Sequence, residues 1–252
     1  MSETPKIELH NVAKAFGEKQ VLRDVSLSVA TGESLAIIGG SGTGKSVMLK
    51  CILGLLSADS GQILVDGEDV THASGSDRDE IRAKFGMLFQ GGALFDSLPV
   101  WRNITFALTK GRLTGGKEMR AIAAKNLDRV HLGEDVLDLY PSELSGGMQK
   151  RVALARAIAP RPDIIFFDEP TTGLDPIKAD VINDLIVELV DGLGVTAVTI
   201  THDMVSAAKI AHRVALLYNG EIVWEGPTQA LDNSGNAYVD QFVKGRADGP
   251  IQ

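Results

Sequence analysis

Gly39-Gly40-Ser41-Gly42-Thr43-Gly44-Lys45-Ser46 decides the fold of this 252-residue chain. The octet fits the pattern glycine, any four residues, glycine, lysine, then serine or threonine. Before it runs Ser34-Leu35-Ala36-Ile37-Ile38, a short apolar stretch of the kind that forms a buried parallel strand. After it, residues 47–53 have the apolar density and length of a core-facing helix. Strand, glycine loop and helix in that order make a phosphate site. The glycines let backbone N–H groups turn inward, and the helix N-terminus adds partial positive charge. Lys45 would reach the β- and γ-phosphates of a nucleoside triphosphate, and the Ser46 hydroxyl would hold Mg²⁺. A Gly/Ser-rich turn that merely joins two elements has the same composition but no need of these flanks. Gly39, Gly40, Ser41, Gly42, Thr43, Gly44, Lys45 and Ser46 are therefore the expected nucleotide-binding residues.

The rest of the composition sets bounds. The chain is 44% apolar and 23% charged, as soluble globular proteins are, and long enough for a full core. A net charge of −8 without any Lys/Arg block argues against a nucleic-acid surface. No apolar run approaches the roughly 18–20 residues that cross a bilayer. The first residues lack the apolar core of a signal peptide. Cys51, alone, excludes an internal disulfide and is expected to be a small core residue in a reducing compartment. Five scattered histidines show no zinc-ligand spacing. These features point to the cytoplasm.

Outward from the octet, residues 7–12 and 25–29 alternate apolar with polar as two antiparallel strands do. Phe16 stands between them, suited equally to stacking on a purine and to plugging a sheet edge. Residues 62–65 are a further strand ending in the hairpin signal Asp66-Gly67. Residues 72–79 read as a polar loop, 81–84 as a short helix, and 86–89 as a strand stopping at Gln90. Then the texture changes. Pro99 starts a helix predicted over 100–108, a glycine-containing connector spans 109–116, and 117–130 and 135–139 are predicted helices. Residues 91–158 thus form a helical subdomain inserted between the core segments 5–90 and 159–232. The α/β pattern resumes with a strand at 163–167, a helix at 177–193, a strand at 195–200, a helix at 204–211 and a hairpin around Asn219-Gly220. One domain over 5–245 is expected, with a mobile tail from Gly245 to Gln252.

Chemistry-bearing residues gather at strand ends, where ligands collect in parallel α/β sheets. Asp168 ends an apolar strand and suits a Mg²⁺ ligand, and Glu169 can accept a proton from the attacking water. Two acids solvating a strand end would look the same in isolation; a phosphate loop in the same chain changes the reading. His202 follows another strand, placed to donate to the γ-phosphate or orient the water, and Gln90 could position the metal or the water. Ser145-Gly146-Gly147 opens a helical run carrying Arg151 and Arg156. Serine there is a favoured N-cap. It is also a second anion cradle, and one nucleotide needs only one, which suggests a γ-phosphate clamped between two surfaces.

With these motifs in order, the chain resembles the nucleotide-binding subunits of ABC transporters over about residues 7–242. The resemblance implies a P-loop NTPase (RecA-like) α/β core with an antiparallel β subdomain and an inserted helical subdomain. It implies an ATPase using ATP and Mg²⁺, with Phe16 as the adenine-stacking aromatic and Gly39 to Ser46 as the Walker A loop. Gln90 becomes the Q-loop glutamine, Leu144 to Met148 the signature with Ser145, Gly146 and Gly147 on phosphate, and Ile164 to Asp168 the Walker B strand. Ser46, Gln90 and Asp168 become the metal set; Glu169 becomes the catalytic base, Gly173-Leu174-Asp175 the D-loop, and His202 the switch histidine. The signature departs from the family in having Met148 where glutamine is usual, with Gln149 after it. Together with residues 92–98 and 245–250, that departure resembles the Mla-type phospholipid-trafficking branch.

The resemblance further implies a head-to-tail homodimer, each ATP lying between Lys45 of one copy and Ser145 of the other. It implies a multi-span membrane permease as partner, phospholipid-binding accessory proteins, and a place on the cytoplasmic face of the inner membrane. Leu94, Phe95 and Trp101 either fill the contact with that partner or pack internally. DNA-repair or chromosome clamps share such a core but carry coiled coils or a second ATPase domain. A small-molecule kinase has no use for Ser145-Gly146-Gly147. An ABC transporter for another solute is the nearest rival.

Overall fold

The computed structural model describes residues 4–112 and 116–252. In chain order the elements are strands β1 (Ile7–Phe16), β2 (Lys19–Val29) and β3 (Ser34–Ile38), helix α1 (Lys45–Ile52), strands β4 (Ser60–Val65) and β5 (Glu68–Asp69), and helix α2 (Gly75–Ala83). Strand β6 (Phe85–Leu88) and helices α3 (Val100–Thr105), α4 (Gly116–Asp128) and α5 (Gly146–Ile158) follow. Then come β7 (Ile164–Asp168), α6 (Pro176–Leu193), β8 (Thr196–Thr201), α7 (Met204–Ile210), β9 (Arg213–Tyr218), β10 (Glu221–Pro227) and α8 (Ala237–Lys244). The chain divides into two compact units, one of Met1–Arg82 with Gly194–Gln252 and one of Ala83–Leu193.

In the first unit the strands run in the order β5-β4-β1-β2-β10-β9-β3-β8. β1 pairs antiparallel with β2 and β4, as the period-two alternation of its residues requires when one face is covered. β3 and β8 are buried on both faces, which suits residues that, Ser34 apart, are all apolar or β-branched. They pair in parallel with Ile38 opposite Thr201, so the octet after β3 and His202 after β8 leave the same sheet edge. Ala36, Ile38, Val214 and Leu216 pack with Ala207 of α7 and Val239 of α8. Each such large aliphatic side chain contributes about 1.5–3 kcal/mol by leaving water.

In the second unit β6 and β7 are parallel, Leu88 opposite Phe167. Phe85 meets Phe166 edge-on with centroids 5.4 Å apart. Helices α3, α4 and α5 supply buried Ile104, Leu127 and Leu154. Asn103, fully buried, holds the loop before α3: its Nδ2 donates to the carbonyls of Phe95 (3.1 Å) and Leu98 (2.8 Å), and its Oδ1 accepts from Phe95 N (2.7 Å).

Four local expectations are corrected. The polar stretch 75–83 is helical; α2 buries no residue, so it has no apolar stripe for a sequence reading to find. The helix after Pro99 ends at Thr105, earlier than 108. In place of a helix over 135–139 stand two 3₁₀ turns, Glu134–Val136 and Pro141–Glu143. The C-terminal tail is ordered. Ile251 N donates to Oε1 of buried Gln241 (2.7 Å), whose Nε2 donates to Ile251 O (3.0 Å), and Gln252 N donates to Tyr218 Oη (3.3 Å). Part of the connector before α4, residues 113–115, lies outside the described residues.

Candidate active site

The octet turns sharply because its glycines allow it. Gly44 caps α1 with φ 109°, and a Cβ there would lie 2.8 Å from Leu22 Cδ2. Gly39 passes so close to β9 that a Cβ would stand 2.4 Å from Leu217 O. Lys45, 7% exposed, donates from Nζ to Gly39 O (2.7 Å) and Gly40 O (2.8 Å), so its amine stands at the loop's concave side. Ser46 is exposed in the first turn of α1. Phe16 closes β1 with its ring 48% exposed and Lys14 Nζ 5.6 Å from the ring centre. A side chain plugging the sheet edge would be buried, so that exposure argues against a plug. His202 is exposed at the end of β8, and the neighbouring Asp203 caps α7 by accepting from Val205 N (3.0 Å) and Ser206 Oγ (2.6 Å).

The second unit carries the other candidates. Because β6 and β7 are parallel, Gln90, Asp168 and Glu169 lie at one edge. Asp168 and Glu169 are half-buried. Glu169 has φ +49°, a left-handed conformation that costs an unbranched residue about 1–2 kcal/mol. Its Oε2 accepts from Thr172 Oγ1 (3.2 Å), and Thr172 N donates to its main-chain oxygen (3.2 Å). Ser145 caps α5 by accepting from Met148 N (3.3 Å). A Cβ on Gly146 would meet nothing within 4 Å, so nothing in the protomer itself demands glycine there. Gln149 does not replace the missing signature glutamine. Its Nε2 turns back to donate to Pro141 O (2.9 Å) and Leu144 O (3.3 Å).

One cation on α5, Lys150, escaped the sequence reading, and Arg156 entered it only as part of the helical run after Ser145. Lys150 is 6% exposed and donates from Nζ to the main-chain oxygen of Gln90. Burial pushes its pKa down, and the charges of Asp168 and Glu169 act in the opposite sense. Arg156 donates to Gly92 O and Ala93 O, each at 2.6 Å. The signal available was their spacing after Ser145 on a helix, but a lysine in an amphipathic run ordinarily reads as solvated.

Residues 22–172 match the family described as ABC transporter. The chain belongs to the ABC transporter ATP-binding family. This cassette is 40% identical over 245 residues to the intermembrane phospholipid transport system ATP-binding protein MlaF of Escherichia coli K12, covering 97% of this chain and 91% of that one. It is 39% identical over 245 residues to the probable ribonucleotide transport ATP-binding protein mkl of Mycobacterium leprae, covering 97% and 70%. Among solved structures it is similar to a dimeric ATP-binding cassette in a post-hydrolysis state bound to ADP and Pi. The TM-score is 0.79 at 34% identity, over 88% of this chain and 98% of that one. The cassette has the P-loop NTPase fold and is an ATPase. No helix among the described residues is long and apolar enough to cross a membrane.

Proposed function

We propose that the cassette hydrolyses ATP to drive a separate membrane permease that moves phospholipid between membranes. The observation that carries this reading is near-full-length similarity to the Escherichia coli phospholipid-transport cassette, with over nine-tenths of each chain aligned. The mycobacterial relative is named for ribonucleotide transport, which keeps another solute as the second reading.

In the proposed mechanism ATP stacks its adenine on Phe16 and lays its phosphates along Gly39 to Ser46, with Lys45 on the β- and γ-phosphates. Ser145, Gly146 and Gly147 of a second copy face the γ-phosphate. The open space over Gly146 supports that role, since a glycine unneeded by its own protomer leaves room for a ligand or another chain. Ser46, Gln90 and Asp168 offer hydroxyl, amide and carboxylate oxygens, the hard donors that suit Mg²⁺. Bound there, the ion would neutralise charge on the phosphates. Glu169 takes the proton of the attacking water, its strained backbone held by Thr172, and His202 orients the γ-phosphate. The helical residues around 91–158 act as a distinct subdomain between the core segments.

The permease meets a groove of about 400 Å³ in the second unit, lined by Met87, Phe89, Phe95, Phe106 and Arg156. Phe95 is 42% exposed and packs on Phe106, centroids 4.3 Å apart, which favours it as a docking residue. Leu94 is half-buried, and the Trp101 ring has the guanidinium groups of Arg102 and Arg120 at 5.0 and 5.8 Å from its centre, which favours packing within the subdomain instead. The cassette would thus sit on the cytoplasmic face of the inner membrane, with phospholipid-binding accessory proteins in the same complex.

The test is a mild-detergent pull-down of the tagged cassette from its own membranes, reading protein partners and bound lipid together. A multi-span permease with enriched phospholipid is the expected result. A permease with a receptor for another solute discards the lipid, and recovery of no membrane protein discards transport.

A further inference from the structure

The start of the loop that follows Gln90 is held by α5, while Asn103 of α3 holds its later part at Phe95 and Leu98. Two cations of α5, Lys150 and Arg156, grip three successive-region carbonyls: Gln90 by the amine, Gly92 and Ala93 by the guanidinium at 2.6 Å each. The same helix begins at Ser145, about 7–8 Å along its axis from Lys150 at 1.5 Å per residue. The Lys150 ammonium also feels the charges of Asp168 and Glu169. A buried ammonium is costly unless it is paired and hydrogen-bonded, and a plain packing role would be filled more cheaply by leucine or methionine. Arg156 alone would anchor the loop.

We propose that Lys150 is a positioning residue for ATP hydrolysis, fixing the Gln90 backbone relative to the Asp168–Glu169 carboxylates and to the Ser145 end of α5. This rests on the roles proposed above for Gln90 and Glu169. The amine touches no reacting atom. It acts by preventing the Gln90 carbonyl and the carboxylates from drifting apart, and a misplacement of about 1 Å at such a site costs on the order of a hundredfold in rate. α5 is thirteen residues long and buried along Val152, Ala153, Leu154 and Ala155, so it moves as a rod. A shift of the loop therefore reaches Ser145 through Lys150 and Arg156 without any change inside the helix.

The variants are Lys150→Met, which removes the donor and keeps the length, and Lys150→Arg, which keeps both donor and charge. Full-length protein is assayed for kcat, KM and equilibrium ATP affinity, and thermal melts count the folded fraction. Lys150→Met is expected to lose at least about tenfold in kcat per folded molecule with ATP affinity within about threefold. Lys150→Arg is expected to return to within about threefold of the parent kcat. Should Lys150→Met fail to fold, Lys150→Gln replaces it under the same criterion. A parent-like kcat in the neutral variant, or a loss that arginine leaves unrepaired, overturns the proposal. Glu169→Gln is run alongside. If it hydrolyses normally the base assignment fails whatever Lys150 does, whereas an inactive Glu169→Gln beside an active Lys150→Met sinks the Lys150 role alone.

Discussion

Glu169 is held in a left-handed backbone conformation that most side chains avoid, and Thr172 secures it through both its hydroxyl and its N–H. Strain of this kind persists where the surroundings over-determine it, and it clusters at working sites. Replacing the carboxylate with an amide keeps the shape and removes the base. Glu169→Gln is therefore expected to bind ATP as the parent does and to release phosphate at least about tenfold more slowly; parent-like turnover in a phosphate-release assay would remove Glu169 from that role. At the same scale Lys45 and Lys150 show how unlike two lysines can be. Both are buried, yet the first was legible from its motif, while the second draws its meaning from a carbonyl sixty residues away.

At the level of elements, α5 joins a capped N-terminus to two loop-binding cations, so its role depends on what approaches Ser145. Arginine at 145 removes the hydroxyl cap of α5 and adds a bulky cation beside Gly146, with every residue of the octet unchanged. Ser145→Arg is expected to abolish hydrolysis yet spare ATP binding; retained hydrolysis would count against a site shared by two copies. α8 is a second informative element. Its Gln241 is buried by the tail and makes two hydrogen bonds with Ile251, at 2.7 and 3.0 Å. Each such bond contributes about 0.5–1.5 kcal/mol net. Deleting residues 249–252 should lower the unfolding free energy by about 1–2 kcal/mol in a denaturant titration, and an unchanged midpoint would mean the strap stabilises nothing. Tail order was missed because a Gly/Pro-containing terminus carries no periodicity; the signal lay in its partners, Gln241 and Tyr218. The same reason hid α2, whose helicity has no buried face behind it.

Across the whole molecule, folding brings together charges far apart in the chain. Glu33, just before β3, meets Arg213 of β9 through Nε (2.7 Å) and Nη2 (3.1 Å). Burial pushes the Glu33 carboxyl up, but the Arg213 guanidinium and the Ala30 N–H together hold it below the ordinary carboxylate range. A folded-state pKa below the unfolded one stabilises above the unfolded value, and that contribution disappears as pH falls through the folded value. Glu33→Gln should therefore melt below the parent at pH 7, and the gap should close on acidification below about pH 4. A gap independent of pH would assign the effect to packing.

The sequence by itself determined the order of strand, glycine loop and helix, the carboxylate pair at the end of β7, the histidine after β8 and the serine cap of α5. Each is a local pattern in which backbone geometry and side-chain chemistry occupy the same few residues. Similarity to known cassettes then placed the chain in its family. Only the tertiary structure decided that Phe16 is exposed, that Gln149 folds back instead of standing in for the signature glutamine, and that Lys150 and Arg156 grip the loop after Gln90. Those facts depend on residues distant in sequence, and the carbonyl that accepts a buried amine leaves no trace in the letters that encode it.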